Sequence, residues 1–329
     1  MNKIDIFWME LDDAITHDGV VSPFIQKIID DARKILSIRM KIRKWIPFGS
    51  IHCGVGIKGQ SDFDFLAIIP IDQLIFNKQP IWAVKRLEAN LLDICDKNIV
   101  GKLDPPSFSL WDSKYPETHI DVVIGISRGD MNPEHPGKII EELDDEPYFY
   151  TGCPTQWWPT SPRAHNTMLD KLDIQTNGLS RKLIKVFKLW KFNNNIPIRT
   201  FFIETFILRW FLNTYKIPGT MGDVLREVQS MGSEYKPNKI DNISNGMASI
   251  SSDLLKFILK EGEQGQIPTL YDPCVYGGWS DVYAYSDNRE KLSILDGLRE
   301  LSLKAGNAVE VCKQNEDESV KIWMSILNI

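Results

Sequence analysis

Between Ser22 and Trp45 the apolar residues Phe24, Ile25, Ile28, Ile29, Ala32, Ile35, Leu36 and Met40 recur at helical spacing, which predicts a long amphipathic helix. Ser22-Pro23 opens it with a capping hydroxyl and a proline suited to the first turn. Arg39, Lys41, Arg43 and Lys44 form a basic tail, and Pro47 ends the pattern. The run Asp64–Pro70 then predicts the first strand, and Trp82–Cys95 a second helix. Thr118–Ile126 is β-branched and apolar except for His119 and Asp121, which predicts another strand with His119, Asp121 and Val123 on one face. Residues Arg128–Arg163 are rich in proline, glycine and acids, and predict a long irregular connector with a domain boundary near its end. Beyond Asn166 the pattern is helical. Leu179, Leu183, Val186, Phe187 and Trp190 form a core face with Lys182, Lys185 and Lys188 on a neighbouring stripe. Thr200–Leu212 reads as a strongly apolar helix carrying Glu204 and Arg209, and Leu254–Leu259, Leu292–Ala308 and Ser319–Leu327 supply further helices. The layout is α+β, a mixed first half followed by an all-helical second half.

Composition changes this picture little. The 329 residues suffice for two modest domains, and 43% hydrophobic with 25% charged residues is ordinary for a soluble globular chain. The net charge of -6 does more: affinity for nucleic acid rests largely on neutralising phosphates, so a long DNA or RNA is not the default partner of an acidic chain. Five scattered cysteines without paired spacing read as reduced thiols. The first residues lack the layout of a signal peptide, and no segment reaches eighteen uninterrupted apolar residues, so no membrane partner is expected. The expected location is the cytoplasm.

Candidate chemistry concentrates in one stretch. Phe48-Gly49-Ser50 is followed, after eleven residues, by Asp62-Phe63-Asp64 and an apolar run. In a strand Asp62 and Asp64 point the same way, and two carboxylates side by side require a counter-charge such as a divalent metal carrying a phosphate. Asp121, alone in its strand, is costly there unless paired or metal-bound. Three carboxylates on one sheet face can hold two Mg²⁺ ions about 4 Å apart, the arrangement that serves phosphoryl transfer. Each piece alone has a plainer reading, as a turn or as a hydrogen-bonded structural acid. The combination is harder to reach by chance.

The combination resembles the polymerase-β-like nucleotidyltransferases, whose hallmark is Gly-Ser, Asp-x-Asp and a third strand carboxylate. More narrowly, Gly54-Val55-Gly56-Ile57-Lys58-Gly59-Gln60-Ser61-Asp62-Phe63-Asp64 is similar to the Gly-Thr-x-Ile-x-Gly-x-Ser-Asp-x-Asp stretch of the cGAS/DncV-like enzymes (CD-NTases) and the related oligoadenylate synthases. Val55 stands where they carry threonine. Lys182–Lys191, then Ile198–Glu204, is similar to the family's lysine-bearing helix and the Ser-Tyr-x-x-Glu helix start that follows it, with Thr200 in place of serine. Asp272-Pro273 and Asp281-Val282 resemble its Asp-Pro…Asn-Val segment, and Tyr276, Trp279, Tyr283 and Tyr285 nearby could stack a base or belong to the core.

The resemblance implies a nucleotidyltransferase palm, a mixed sheet with flanking helices, packed on a helical C-terminal domain with the active site in the cleft between the lobes. The expected domains are 1–165, the catalytic palm with its long N-terminal helix, and 166–329, the helical domain. Asp62, Asp64 and Asp121 would be catalytic and hold two Mg²⁺ ions, or Mn²⁺ in their place. Gly49, Ser50, Lys185 and Thr200 would contact the triphosphate, Thr200 through its hydroxyl and helix start. Glu204 is expected to pair with a lysine or arginine. The partners would be ATP or other nucleoside triphosphates and a downstream effector protein responding to a cyclic di- or trinucleotide made in antiphage signalling. Two alternatives stay open: a linear 2′-5′ oligoadenylate synthase or a transferase acting on RNA or protein, and a decayed, non-catalytic nucleotide-binding protein.

Overall fold

The structure is a computed structural model and describes residues 1–70, 72, 79–127, 148–151, 156–214, 240, 242–263, 267–271, 281–285 and 287–329. Of these, His17–Met168 form one compact unit, and Met1–Thr16, Leu169–Pro273 and Asp281–Ile329 form another.

The first unit is a mixed sheet in the order β1-β2-β5-β4-β3, with β6 on β5 and β7 on β6. Its strands are β1 (Lys44–Phe48), β2 (Phe63–Ile69), β3 (Ile99–Asp104), β4 (Ser107–Asp112), β5 (Tyr115–Ile126), β6 (Tyr148–Tyr150) and β7 (Trp158–Thr160). Strands β2 and β5 are parallel and form the centre. Alternation sorts their side chains between two faces. Phe63, Ala67 and Ile69 of β2, Ile120, Val122, Ile124 and Ile126 of β5, and Phe108 and Leu110 of β4 pack against α2 (Pro23–Arg39) and α4 (Pro80–Leu91). The opposite face carries a smaller apolar cluster of Ile46, Leu66, Ile68, Val123 and Tyr148, and beside it the acids.

The predicted helix from Ser22 stops earlier than its apolar spacing suggested. Ser22 caps it, its hydroxyl accepting from the Ile25 amide, but the helix ends at Arg39 with Met40 fully buried. Lys41 takes a left-handed φ of 52° and the chain turns into edge strand β1. There the apolar period has become two, with Trp45 stacked on Phe65 and Ile46 on the other face. Pro47 sits on this sheet edge, where a missing amide is tolerated. Between the strands, β6, β7 and the start of α5 (Pro162–Gln175) occupy part of the expected irregular connector; 128–147 and 152–155 lie outside the described residues.

The second unit is mainly helical: α1 (Lys3–Ile15), most of α5, α6 (Leu179–Asn193), α7 (Thr200–Thr214), α8 (Ile243–Glu263), α9 (Asn288–Cys312) and α10 (Glu316–Leu327). The all-helical expectation needs one correction: β8 (Thr269–Tyr271) and β9 (Asp281–Tyr283) pair antiparallel. Helix α1 is capped by the Asn2 side chain and buries Ile4, Trp8, Leu11 and Ile15. Trp8 meets Trp323 edge-on at 5.1 Å and donates its indole N–H to the Ser244 hydroxyl. Two lysines of the α6 stripe, Lys185 and Lys188, are buried. Lys188 pairs with Glu204 of α7, as expected for that acid, and both side chains are nearly inaccessible.

Removing one member of a buried ion pair strands the other charge, at a cost of about 3–5 kcal/mol. Lys188→Met is therefore expected to lower the melting temperature by roughly 10 °C. Lys188→Met combined with Glu204→Leu should recover most of it. Equal losses in the single and double variants, measured by calorimetry, would contradict the pair's role.

Candidate active site

Strand register assembles the acids. Asp64 of β2 lies directly opposite Asp121 of β5, so their backbones are one strand spacing apart, about 4.8 Å. Ser109 of β4 faces Asp121 from the other side, and Lys102 of β3 faces Ser109. Asp62 immediately precedes β2 on the same side as Asp64. The eleven-residue loop before it is tightly built. Val55 donates to the Ser50 carbonyl, and Gln60 and Ser61 donate to the Ile57 carbonyl. Ile57 donates to the Ser61 hydroxyl. Val55 is fully buried.

Gly49 follows β1, whose last residue, Phe48, is paired with Asp64. Its φ is +76°, and a Cβ there would lie 1.9 Å from Asp64 Oδ2. Glycine is thus required twice, by backbone conformation and by the carboxylate pressed against its Cα. Ser50 stands next in the first turn of the short helix α3 (Gly49–His52).

The electrostatics of the cluster follow from this crowding. Burial pushes the Asp62 carboxyl above its ordinary range, and the charge of Asp121 pushes it further. His119 opposes the shift through its charge and a backbone hydrogen bond, its Nδ1 lying 4.0 Å from Asp62 Oδ1. Asp121 Oδ1 is buried without a hydrogen-bond partner. A buried carboxylate oxygen lacking a donor, beside a second carboxyl group, leaves an acceptor that a divalent cation would satisfy. Among the described residues no three acid, imidazole or thiol groups converge closely enough to enclose a metal as they stand. A cation bound there would have to draw the carboxylates together.

The Asp62 shift has a sign that can be tested. A carboxyl raised in the folded state contributes stability below the unfolded value, and that stability is lost as pH rises through the folded value. Asp62→Asn escapes the loss. It is expected to melt above the wild type at neutral pH, the difference closing as pH falls below the ordinary aspartate range. Identical melting of the two proteins at neutral pH would contradict the crowding.

Of the other expected substrate contacts, Lys185 and Thr200 belong to the helical unit. Lys185 is buried, with its ammonium 2.5 Å from both Asp12 Oδ1 and Thr16 Oγ1. Asp12 and Thr16, on and just after α1, escaped the sequence reading, although Ile4, Trp8, Leu11 and Ile15 carry a helical period that marks α1. Thr200 is the first residue of α7 and is half-buried. Tyr285 is fully buried and its hydroxyl lies in the core, which removes it from the candidates for stacking a base. Asp272, Pro273, Tyr276 and Trp279 lie outside the described residues, and Asp281 opens β9.

No protein-family model and no curated protein matches the chain. Solved structures do. E. coli MS115-1 CdnC, in complex with HORMA-deltaN, superposes with a TM-score of 0.59 at 12% identity, over 98% of this chain and 96% of that one. The Bradyrhizobium diazoefficiens CD-NTase CdnG, in complex with GTP, gives 0.59 at 12% identity over 100% and 99%. Vibrio cholerae DncV, a cyclic AMP-GMP synthase holding the linear intermediate pppA(3′,5′)pG, gives 0.56 at 9% identity over 98% and 83%.

The chain has the fold of the CD-NTases.

At these identities the likeness is one of fold, and it spans nearly the whole chain. The CD-NTase fold accounts for the mixed sheet with flanking helices and for the helical C-terminal region. No helix among the described residues is long and apolar enough to cross a membrane.

Proposed function

We propose that this protein is a template-independent nucleotidyltransferase that condenses nucleoside triphosphates and releases pyrophosphate. The observation that carries the reading is Asp64 facing Asp121 across β2 and β5, with Gly49 pressed onto the Asp64 carboxylate. Asp62, Asp64 and Asp121 would hold Mg²⁺ or Mn²⁺. When bound, the metal neutralises the triphosphate and lowers the pKa of the attacking ribose hydroxyl. Gly49 leaves room beside Asp64 that any side chain would fill, and Ser50 offers a hydroxyl to the phosphates. Lys185 and Thr200 are proposed as further triphosphate contacts. For Lys185 this requires exchanging its bonds to Asp12 and Thr16 for a phosphate, an exchange of one anionic partner for another. The ribose hydroxyl of one nucleotide then attacks the α-phosphorus of the other, and pyrophosphate leaves.

The product is proposed to be a cyclic di- or trinucleotide second messenger that acts on an effector protein in antiphage signalling within the cytoplasm. Its support is the likeness in fold to a cyclic AMP-GMP synthase and to CdnC and CdnG, solved with ATP and GTP. The palm and helical segments are proposed as domains 1–165 and 166–329.

The test is incubation with Mg²⁺ and each labelled combination of nucleoside triphosphates, followed by phosphatase and chromatography. A phosphatase-resistant product is expected. A phosphatase-sensitive ladder would place the chain with the linear synthases, and the absence of pyrophosphate release under every combination would overturn the transferase reading.

A further inference from the structure

The flank of the sheet away from Gly49-Ser50 carries a pair of rings that neither the fold nor the metal chemistry explains. Trp111 of β4 lies directly opposite His119 of β5. Their ring centroids are 4.9 Å apart with planes inclined at 37°. By strand alternation they share the face of Asp121, two residues beyond His119, and His119 reaches to within 4.0 Å of Asp62. Trp111 belongs to neither apolar cluster of the sheet. It is half-buried, and the His119 side chain keeps 36% of its surface accessible. The strand register shifts immediately after Trp111, an irregularity of the kind that re-aims a side chain next to a site.

We infer that Trp111 and His119 form the platform on which the base of the acceptor nucleotide stacks. The inference rests on the transferase reading and adds to it the seat of the second reactant. The order of elements supplies the reason. Gly49 and Ser50 lie at the β1 edge of the acid cluster and Trp111 at its β4 side, with Asp64 and Asp121 between. A donor whose triphosphate extends toward Gly49-Ser50 leaves the β5–β4 side for the nucleotide that presents its hydroxyl. His119 sits between Trp111 and Asp62, so a base lying on the rings would place its own ribose at the carboxylates. Stacking is tolerant of base identity because every base has a π face.

The experiment separates donor from acceptor. A dideoxynucleoside triphosphate, which has no hydroxyl to attack with, serves as donor, a nucleoside 5′-monophosphate as acceptor, and pyrophosphate release is followed. Trp111→Leu is expected to raise the acceptor KM about tenfold while the donor KM stays within about twofold, and His119→Leu to raise the acceptor KM more than the donor KM. Trp111→Phe, which keeps a ring, should restore most of the acceptor affinity. Should Trp111→Leu not fold, His119→Leu and Trp111→Phe carry the comparison. An unchanged acceptor KM, or donor and acceptor KM rising together, would overturn the platform. A wild type that releases no pyrophosphate from any combination of nucleoside triphosphates would instead overturn the transferase reading. The platform is then judged by binding alone: the 5′-monophosphate should quench wild-type tryptophan fluorescence, with that component missing in Trp111→Phe. Equal quenching in both proteins would overturn it.

Discussion

Asp64→Asn is expected to lower pyrophosphate release by about 10³-fold, the several kcal/mol that a metal-held charge contributes to a phosphoryl-transfer barrier. Asparagine keeps the shape of the side chain and its fit against Gly49, so the fold should survive. Removing one of the facing charges of Asp64 and Asp121 relieves repulsion across one strand spacing, and the variant should melt at or above the wild-type temperature. This opposition of activity and stability is the signature of a functional acid. An acid retained for structure would lose stability when neutralised and leave the rate within severalfold of wild type.

Gly49→Ala is expected to lose about 100-fold in activity, since a displacement near 1 Å of a catalytic group costs about that much. The new methyl would start 1.9 Å from Asp64 Oδ2, so the carboxylate or the turn must move. Alanine also disfavours a φ of +76° by roughly 1–2 kcal/mol, and the melting temperature should fall by a few degrees. Gly59, also at positive φ, is a control because a Cβ there meets nothing within 4 Å. Gly59→Ala should show the small stability loss without the loss of rate. Equal activity losses at the two glycines would show that the contact with Asp64 is not what matters.

The sheet unit was legible to the degree that its strands alternate. Phe63, Phe65, Ala67 and Ile69 against Asp62, Asp64, Leu66 and Ile68 state both faces of β2 in one line of sequence, and Asp121 is conspicuous in a β-branched run. What the sequence could not show was register. That Asp64 faces Asp121, and that Gly49 lies on the Asp64 carboxylate, depend on pairings between segments far apart in the chain. The end of α2 was misplaced because Met40 fits its apolar spacing and Arg39–Lys44 continues a helical composition, whereas Lys41 turns left-handed and ends the helix. In the helical unit, lysine spacing marked a stripe beside the core face and left its burial open. Burial of Lys185 and Lys188 depends on Asp12, Thr16 and Glu204, carboxylates and a hydroxyl delivered by α1 and α7. The same register opposed Trp111 to His119, a pairing no local pattern announces.

The most direct test of the central claim is Mg²⁺-dependent pyrophosphate release from mixed nucleoside triphosphates by the wild type and by Asp121→Asn, measured side by side. The account predicts turnover by the wild type and a loss of about 10³-fold in a variant that melts no lower. An Asp121→Asn protein that turns over within about tenfold of the wild type would contradict the assignment of the facing aspartates as the catalytic centre.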